Sequence, residues 1–433
     1  MSLRICLAAV LVIACGPASA ALFGPKTPPV RTTPPAAKAS PTSRARPAPP
    51  KTSVPPMQFY VVKGASDACG RGCDRWIQLE GHIDSGAAAR FRKFFAGVRD
   101  RNMPLYFYSP GGNVEQAVAM GTLVHEKPVI ARVGRTVVSD CGFEAQDSQA
   151  CLTLKQSGRE LNGRLSTRGA LCGSACPYLM LGASTREIAP DAALAVHSAR
   201  VVVTFTGGTP TPNMIAAANV RAHERSDRTI AAYFAKMRAD TGLLALARTI
   251  KFEDVHVLTR EEIVRFGFDQ REFVETPWIF EPGTYGMVHK IAVQRREGER
   301  TFRTIQWRMI CFDSDRFELD FQRPIPADAA SSSVSISSGG AKPLGFTFPP
   351  LKASGVEQWG LRLAKASLQP LLDLPQAEFT ETSLGADGRQ SLVRENLSSD
   401  GLASALDSLL ATCPAAKTAA ASQTVGTREQ AAK

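Results

Sequence analysis

The run Leu171-Cys172-Gly173-Ser174-Ala175-Cys176-Pro177-Tyr178-Leu179-Met180-Leu181-Gly182 constrains this chain more than any other stretch. A serine stands among the smallest residue types, and an apolar, helix-like segment begins directly after it. Glycine and alanine let a second backbone, or a substrate, come close to the hydroxyl. The first turn of a helix adds free N–H groups and the positive end of a dipole. Two other pieces suit the same purpose. Upstream lies a small-residue turn, Ser109-Pro110-Gly111-Gly112, and downstream a histidine ends an apolar strand, Ala193-Leu194-Ala195-Val196-His197. A fold that used all three would have to gather them from about 90 residues of chain.

The periodicity of the flanking chain sets the fold class. Gln58 to Val62 and Trp76 to Ile83 read as strands, and Ala87 to Arg99 as a helix with Phe91, Phe94, Phe95 and Val98 on one face. Met103 to Tyr108 is a buried-type strand, Asn113 to about Glu126 a helix, and Pro128 to Val133 the next strand. The order β, β, α, β, α, β predicts an α/β fold with a largely parallel sheet and crossover helices. Residues 136–170 interrupt this rhythm and read as a polar insertion beside the serine, a candidate flap. A helix from Ser174 to Ala183 follows, then strands at Arg186 to Ala189 and Ala193 to His197. Val201 to Phe205 suggests an arm, Ala216 to Thr241 a long helix, and Leu258 to Gly267 a capped one. After Pro277 the pattern changes to short strands with turn-rich gaps and a final helix at Leu402 to Ala411. That predicts a small β-rich domain over 280–414, behind a main domain over 57–277.

The ends of the chain read differently. Arg4, the apolar run Ile5 to Ala14 and the small-residue site Ala18-Ser19-Ala20 resemble an export signal over 1–20. Val12-Ile13-Ala14-Cys15-Gly16 offers a rival, lipidation at Cys15. The apolar run is too short to span a membrane. Residues 21–56 are rich in Pro, Ala and Thr and hold six basic residues and no acid, the composition of an extended tether; 415–433 is a low-complexity tail. Most of the net charge of +11 sits in these ends, so the folded part is near neutral and implies no nucleic-acid partner. The linker could contact an anionic envelope surface. Of ten cysteines, eight lie beyond the signal: Cys69, Cys73, Cys141, Cys151, Cys172, Cys176, Cys311 and Cys413. An even number in an exported chain reads as disulfides rather than a metal site, since no histidines flank the pairs as zinc ligands would. The expected bridges are Cys141–Cys151 and Cys311–Cys413. The other four cysteines could pair locally or across.

An acyl-transfer site needs a nucleophile, a base, a group to orient the base, and oxyanion donors. Ser174 is the candidate nucleophile and His197 the base. Gly111, Gly112 and Ala175 could donate N–H groups to the oxyanion. Asp254, or its neighbour Glu253, is the best-placed acid, and His256 is a weaker rival for the base. Each has a plainer reading: a close-packing serine, a core histidine, a turn aspartate and structural cysteines.

Together these motifs make the segment from about 58 to 275 resemble the Clp peptidase (ClpP) branch of the ClpP/crotonase superfamily. The resemblance rests on Ser109-Pro110-Gly111-Gly112, Gly173-Ser174-Ala175-Cys176 opening an apolar helix, Val196-His197, and Leu258-Thr259-x-Glu261-Glu262-x3-Phe266-Gly267. It implies a spiral of ββα units, a serine nucleophile with a histidine base and an orienting aspartate, a polypeptide or acyl substrate, no cofactor, and a homo-oligomer. The family's aspartate position falls on Val255, one residue after Asp254. The expected function is an exported serine peptidase or hydrolase working through an acyl-enzyme without ATP, because no phosphate-binding loop appears. The alternatives are a catalytically inactive envelope-binding protein on the same scaffold and crotonase-type chemistry on an acyl thioester.

Overall fold

Four consecutive buried residues, Trp76 to Leu79, show that the second strand of the chain is covered on both faces. The structure is a computed structural model that describes residues 54–415 apart from 101, 202, 204, 206–208, 285, 296–297, 326–330, 341, 348 and 385–387. The expected export signal, the expected linker up to residue 53 and the tail beyond 415 lie outside the described residues. The strands of the first part are β1 (Gln58–Lys63), β2 (Arg75–Glu80), β3 (Leu105–Tyr108), β4 (Ile130–Val133), β5 (Arg135–Val138), β6 (Leu161–Ser166), β7 (Leu171–Gly173), β8 (Thr185–Glu187), β9 (Ala193–Val196) and β10 (His256–Val257). Seven of them form one sheet in the order β5-β6-β1-β2-β3-β4-β8. Its half from β2 to β8 is parallel, as the β, α, β rhythm requires. A smaller sheet has the order β10-β9-β7, with β7 and β9 parallel. The class is mixed α/β.

Strand alternation divides the main sheet's two faces. Ile77, Leu79, Leu105 and Phe107 pack under α1 (Ala87–Gly97) and α2 (Val114–His125). Tyr60, Val62, Trp76 and Tyr106 pack on the other side with Val138, Cys141, Cys151 and Leu161. Gln78, fully buried in the central strand, donates to Tyr106 O (3.2 Å) and Gly134 O (3.0 Å) and accepts from Thr136 Oγ1 (2.6 Å). A buried amide so satisfied costs little and fixes register.

Several sequence expectations change here. Residues 136–170 are not a flap. They supply β6, which pairs in parallel with β1, and β5, which pairs with β6, with α3 (Gln149–Lys155) between them. Their strands are short, and β6 puts a glycine, Gly163, at a buried position between exposed Asn162 and Arg164, which hides the period of two. The described residues of 201–205 form no strand. The helix expected from Ser174 is α4, Cys176–Met180, so Ser174 and Ala175 lie in the turn before it. The long helix is α5 (Pro212–Met237), followed by α6 (Gly242–Thr249) and α7 (Arg260–Arg265). The last has the expected capping box, with Thr259 and Glu262 each satisfying the other's backbone N–H.

Beyond Pro277 a separate core forms around Trp307, Phe317, Phe321, Trp359 and Phe379. A seven-stranded sheet (Phe273–Glu275, Ile279–Glu281, Met287–Gln294, Arg303–Cys311, Arg316–Pro324, Leu351–Ala353 and Val356–Ala364) and a four-stranded one (Ser331–Ser337, Leu344–Gly345, Gln376–Leu384 and Gln390–Ser398) enclose it, with the helix Leu402–Leu410. The strand Val356–Ala364 was not legible in sequence. Buried Arg323 donates to Glu357 and Glu381 across these strands.

The helices of the first part touch through two glycines. A methyl group on Gly182 would overlap the main chain of Gly121, and one on Gly121 would overlap the Tyr233 hydroxyl. Gly182→Ala should therefore lower the unfolding free energy by about 1–3 kcal/mol. Gly97→Ala, in open space at the end of α1, should be neutral or stabilising by up to about 1 kcal/mol. Urea titration of both variants checks this.

Candidate active site

The site begins where the main sheet hands over to the small one. Ser109, just past β3, donates its N–H to Leu171 O (2.8 Å) and accepts from Gly173 N–H (2.9 Å). This joins the end of β3 to β7. Ser174 follows β7, and His197 follows the parallel neighbour β9, with Gly173 level with Ala195. Both side chains therefore leave from the carboxyl ends of adjacent parallel strands, the usual place for a ligand site in an α/β fold. They line one cleft of about 830 Å³ together with Gly112, Ala175, Tyr178 and Phe252.

Ser174 has φ 56°, in the left-handed region. A side chain there costs on the order of 1–3 kcal/mol and is commonest at functional positions. Three constraints hold it. Its N–H donates to Ala195 O (2.8 Å). The Cys172–Cys176 disulfide spans it, with both sulfurs buried. Gly111, at φ 95°, lies so close that a Cβ would overlap Ser174 Cβ and Gly173 O. Gly112, at φ 140°, is pressed equally hard against Ile83 O.

The oxyanion candidates separate on their hydrogen bonds. Gly111 N–H donates to Ser109 Oγ (3.0 Å), so it is committed and drops out. Among the described residues, Gly112 N–H and Ala175 N–H have no acceptor, and both residues line the cleft beside Ser174. These two remain the candidate donors.

His197 is half-buried, and its ring stands edge-on to Phe252 at 5.1 Å. Its Nδ1 lies 2.9 Å from Ser198 O. A carbonyl can only accept, so Nδ1 carries the proton and Nε2 is left with a lone pair, the tautomer a general base needs. No hydrogen bond links His197 to Ser174 Oγ among the described residues. Catalytic contacts of this kind are often long in a free enzyme.

The expected acid is not at this histidine. Asp254 is exposed in a turn, its N–H bonded to Lys251 O (3.1 Å), and it does not line the cleft. Glu253 pairs instead with Arg200 (2.9 Å). Among the described residues no carboxylate contacts His197, because the Ser198 carbonyl occupies the Nδ1 side. His256, the rival base, is bound through Nε2 to Glu262 Oε2 (2.8 Å) in the α7 cap and does not line the cleft.

Sequence reading missed several lining residues. His82 follows β2 just as Ser109 follows β3, and a Cβ on Gly112 would lie 2.8 Å from its ring. The placement of His82 at the carboxyl end of an apolar strand was the available signal. Arg221 and Arg225 come from α5, and nothing local in that helix marks the face it turns to the cleft. Burial pushes the Tyr178 phenol up to about 12, so it forms a neutral wall.

All eight remaining cysteines are bridged: Cys69–Cys73, Cys141–Cys151, Cys172–Cys176 and Cys311–Cys413. The two expected bridges are present, and the open four pair locally. Four disulfides suit an oxidising compartment. Among the described residues no helix is long and apolar enough to cross a membrane, and no His, Cys, Asp and Glu group could hold a metal ion. No protein-family model matches the chain, and no curated protein matches it.

The bridge around Ser174 closes a very short loop, and its removal should cost about 2 kcal/mol. Cys172→Ala/Cys176→Ala should lower the melting temperature accordingly. Cys69→Ala/Cys73→Ala, remote from the cleft, should cost similar stability without altering chemistry at Ser174. Thermal unfolding with active-site titration separates the two effects.

Proposed function

We propose that this chain is an exported serine hydrolase of the ClpP-like peptidase type, acting on polypeptide or acyl substrates through an acyl-enzyme and without ATP. The observation that carries the reading is the pairing of a left-handed Ser174 with a correctly tautomerised His197 in one cleft. The bonding of Ser109, at the end of β3 in the main sheet, to β7 of the small second sheet supports a ClpP/crotonase-like spiral, with the β-rich part after Pro277 as an appended domain. Four disulfides support export.

In this mechanism His197 Nε2 takes the Ser174 Oγ proton as the oxygen attacks the substrate carbonyl. The oxyanion that forms is met by Gly112 and Ala175 N–H groups; losing one such donor typically costs about 2.7–4 kcal/mol. His197 then gives the proton to the leaving group, and a water, activated by the same ring, releases the acyl chain. The Ser198 carbonyl replaces the usual carboxylate. It fixes the tautomer but carries no full charge, so it stabilises the imidazolium less.

That no carboxylate among the described residues contacts His197 favours a second reading, an envelope-binding protein that retains the scaffold without turnover. A serine-directed fluorophosphonate separates them. It should label the wild type and not Ser174→Ala, and His197→Ala should be labelled at least about 100-fold more slowly. Equal labelling of wild type and Ser174→Ala contradicts the proposal.

Asp254 supplies a second test. Loss of an orienting triad aspartate costs about 10⁴-fold in kcat. Asp254→Asn should instead change the labelling rate by less than about twofold, as expected of an exposed side chain without a partner at the site. Stopped-gel labelling kinetics decide between these values.

A further inference from the structure

One face of α5 lines the same cleft as Ser174. Ala218 and Ala222 lie on that face, and Arg221 and Arg225 stand beside them one helical turn apart. Both arginines are exposed, and among the described residues neither makes an ion pair or a side-chain hydrogen bond. The third cleft arginine, Arg200, is already committed, pairing with Glu253 (2.9 Å) and stacking on Phe252 (4.3 Å). Glu115 is the carboxylate in the lining. The folded part is close to neutral, so two uncommitted guanidinium groups at a cleft mouth are a local feature and not a consequence of overall charge.

We propose that Arg221 and Arg225 select substrates carrying a carboxylate beside the reacting carbonyl, from an acidic side chain or a free C-terminus. The inference rests on the proposed reading of Ser174 for its link to turnover, but it predicts binding independently. Guanidinium groups hold carboxylates through charge-assisted, often bidentate hydrogen bonds. Two of them at i, i+4 spacing can grip one carboxylate from both sides. The alanines leave room for the substrate main chain to lie along the helix. Arg221 and Arg225 are specificity residues here and take no part in proton transfer.

The test uses the full chain carrying Ser174→Ala, so that turnover does not obscure affinity. Three fluorescent peptides of equal length are titrated by anisotropy: one with a glutamate and an amidated end, one neutral with a free C-terminal carboxyl group, and one neutral and amidated. At low salt at least one acidic peptide should bind about tenfold more tightly than the neutral amide. Which of the two gains identifies the source of the carboxylate. The advantage should shrink at high salt. It should vanish when Arg221→Gln/Arg225→Gln is added, return in part with Arg221→Lys/Arg225→Lys, and persist with Arg228→Gln, which lies on the same helix outside the lining. Equal affinity for all three peptides, or an advantage that survives the double glutamine change, overturns the proposal. A carboxylate preference in a protein that no fluorophosphonate labels would leave this inference standing and remove the catalytic reading alone.

Discussion

The backbone at Ser174 is held in a left-handed conformation, and the rest of the site depends on what holds it there. A serine in that region would relax if its surroundings allowed it. The Ala195 carbonyl takes its N–H, the Cys172–Cys176 bridge closes around it, and the Gly111 main chain blocks the space it would relax into. Each constraint also does a second job. The first ties the serine to the strand that presents His197. The second fixes the start of α4, where Ala175 N–H has no acceptor among the described residues. The third brings the Pro110–Gly112 turn close enough for Gly112 to be the other candidate donor. The strain and the alignment of the site thus share one cause.

The part beyond Pro277 contacts the loops that feed these strands. Arg168, just before β7, pairs with Glu281, and His289 Nε2 lies 3.4 Å from the same carboxylate. Asp191, two residues before β9, is partly buried beside them. Burial raises its carboxyl above the usual range, while nearby His289 and Arg168 pull the other way. Phe302 N–H donates to Glu261 on α7 (2.7 Å). The β-rich part therefore contacts the entries to the strands that present Ser174 and His197, and none of its described residues lines the cleft.

The small residues carried the legible part of the site. Gly111, Gly112 and the glycine and alanine beside Ser174 stand where close backbone approach leaves no alternative, so their positions could be read before the fold was known. His197 was legible because it ends an apolar strand. The error over the acid has a physical reason: Asp254 was chosen by its distance along the chain, whereas the place beside His197 Nδ1 is filled by a main-chain carbonyl, which no side-chain pattern announces. The strands β5 and β6 were missed for a related reason. Four- and six-residue strands at a sheet edge bury too few side chains to show a period, and register with β1 is what makes them strands. The arginines of α5 were invisible because a helix face can be assigned to a cleft only after the helix is placed.

The central claim is that Ser174, His197, Gly112 and Ala175 act on one carbonyl. A crystal structure of the protein treated with a peptide boronate tests it most directly. The account predicts continuous density from Ser174 Oγ to a tetrahedral boron. One boron oxygen should lie within about 3.1 Å of both Gly112 N and Ala175 N, and His197 Nε2 within hydrogen-bonding distance of the adduct. A boronate bound elsewhere, or a Ser174 adduct whose oxygen faces neither N–H group while His197 is turned away, would contradict it.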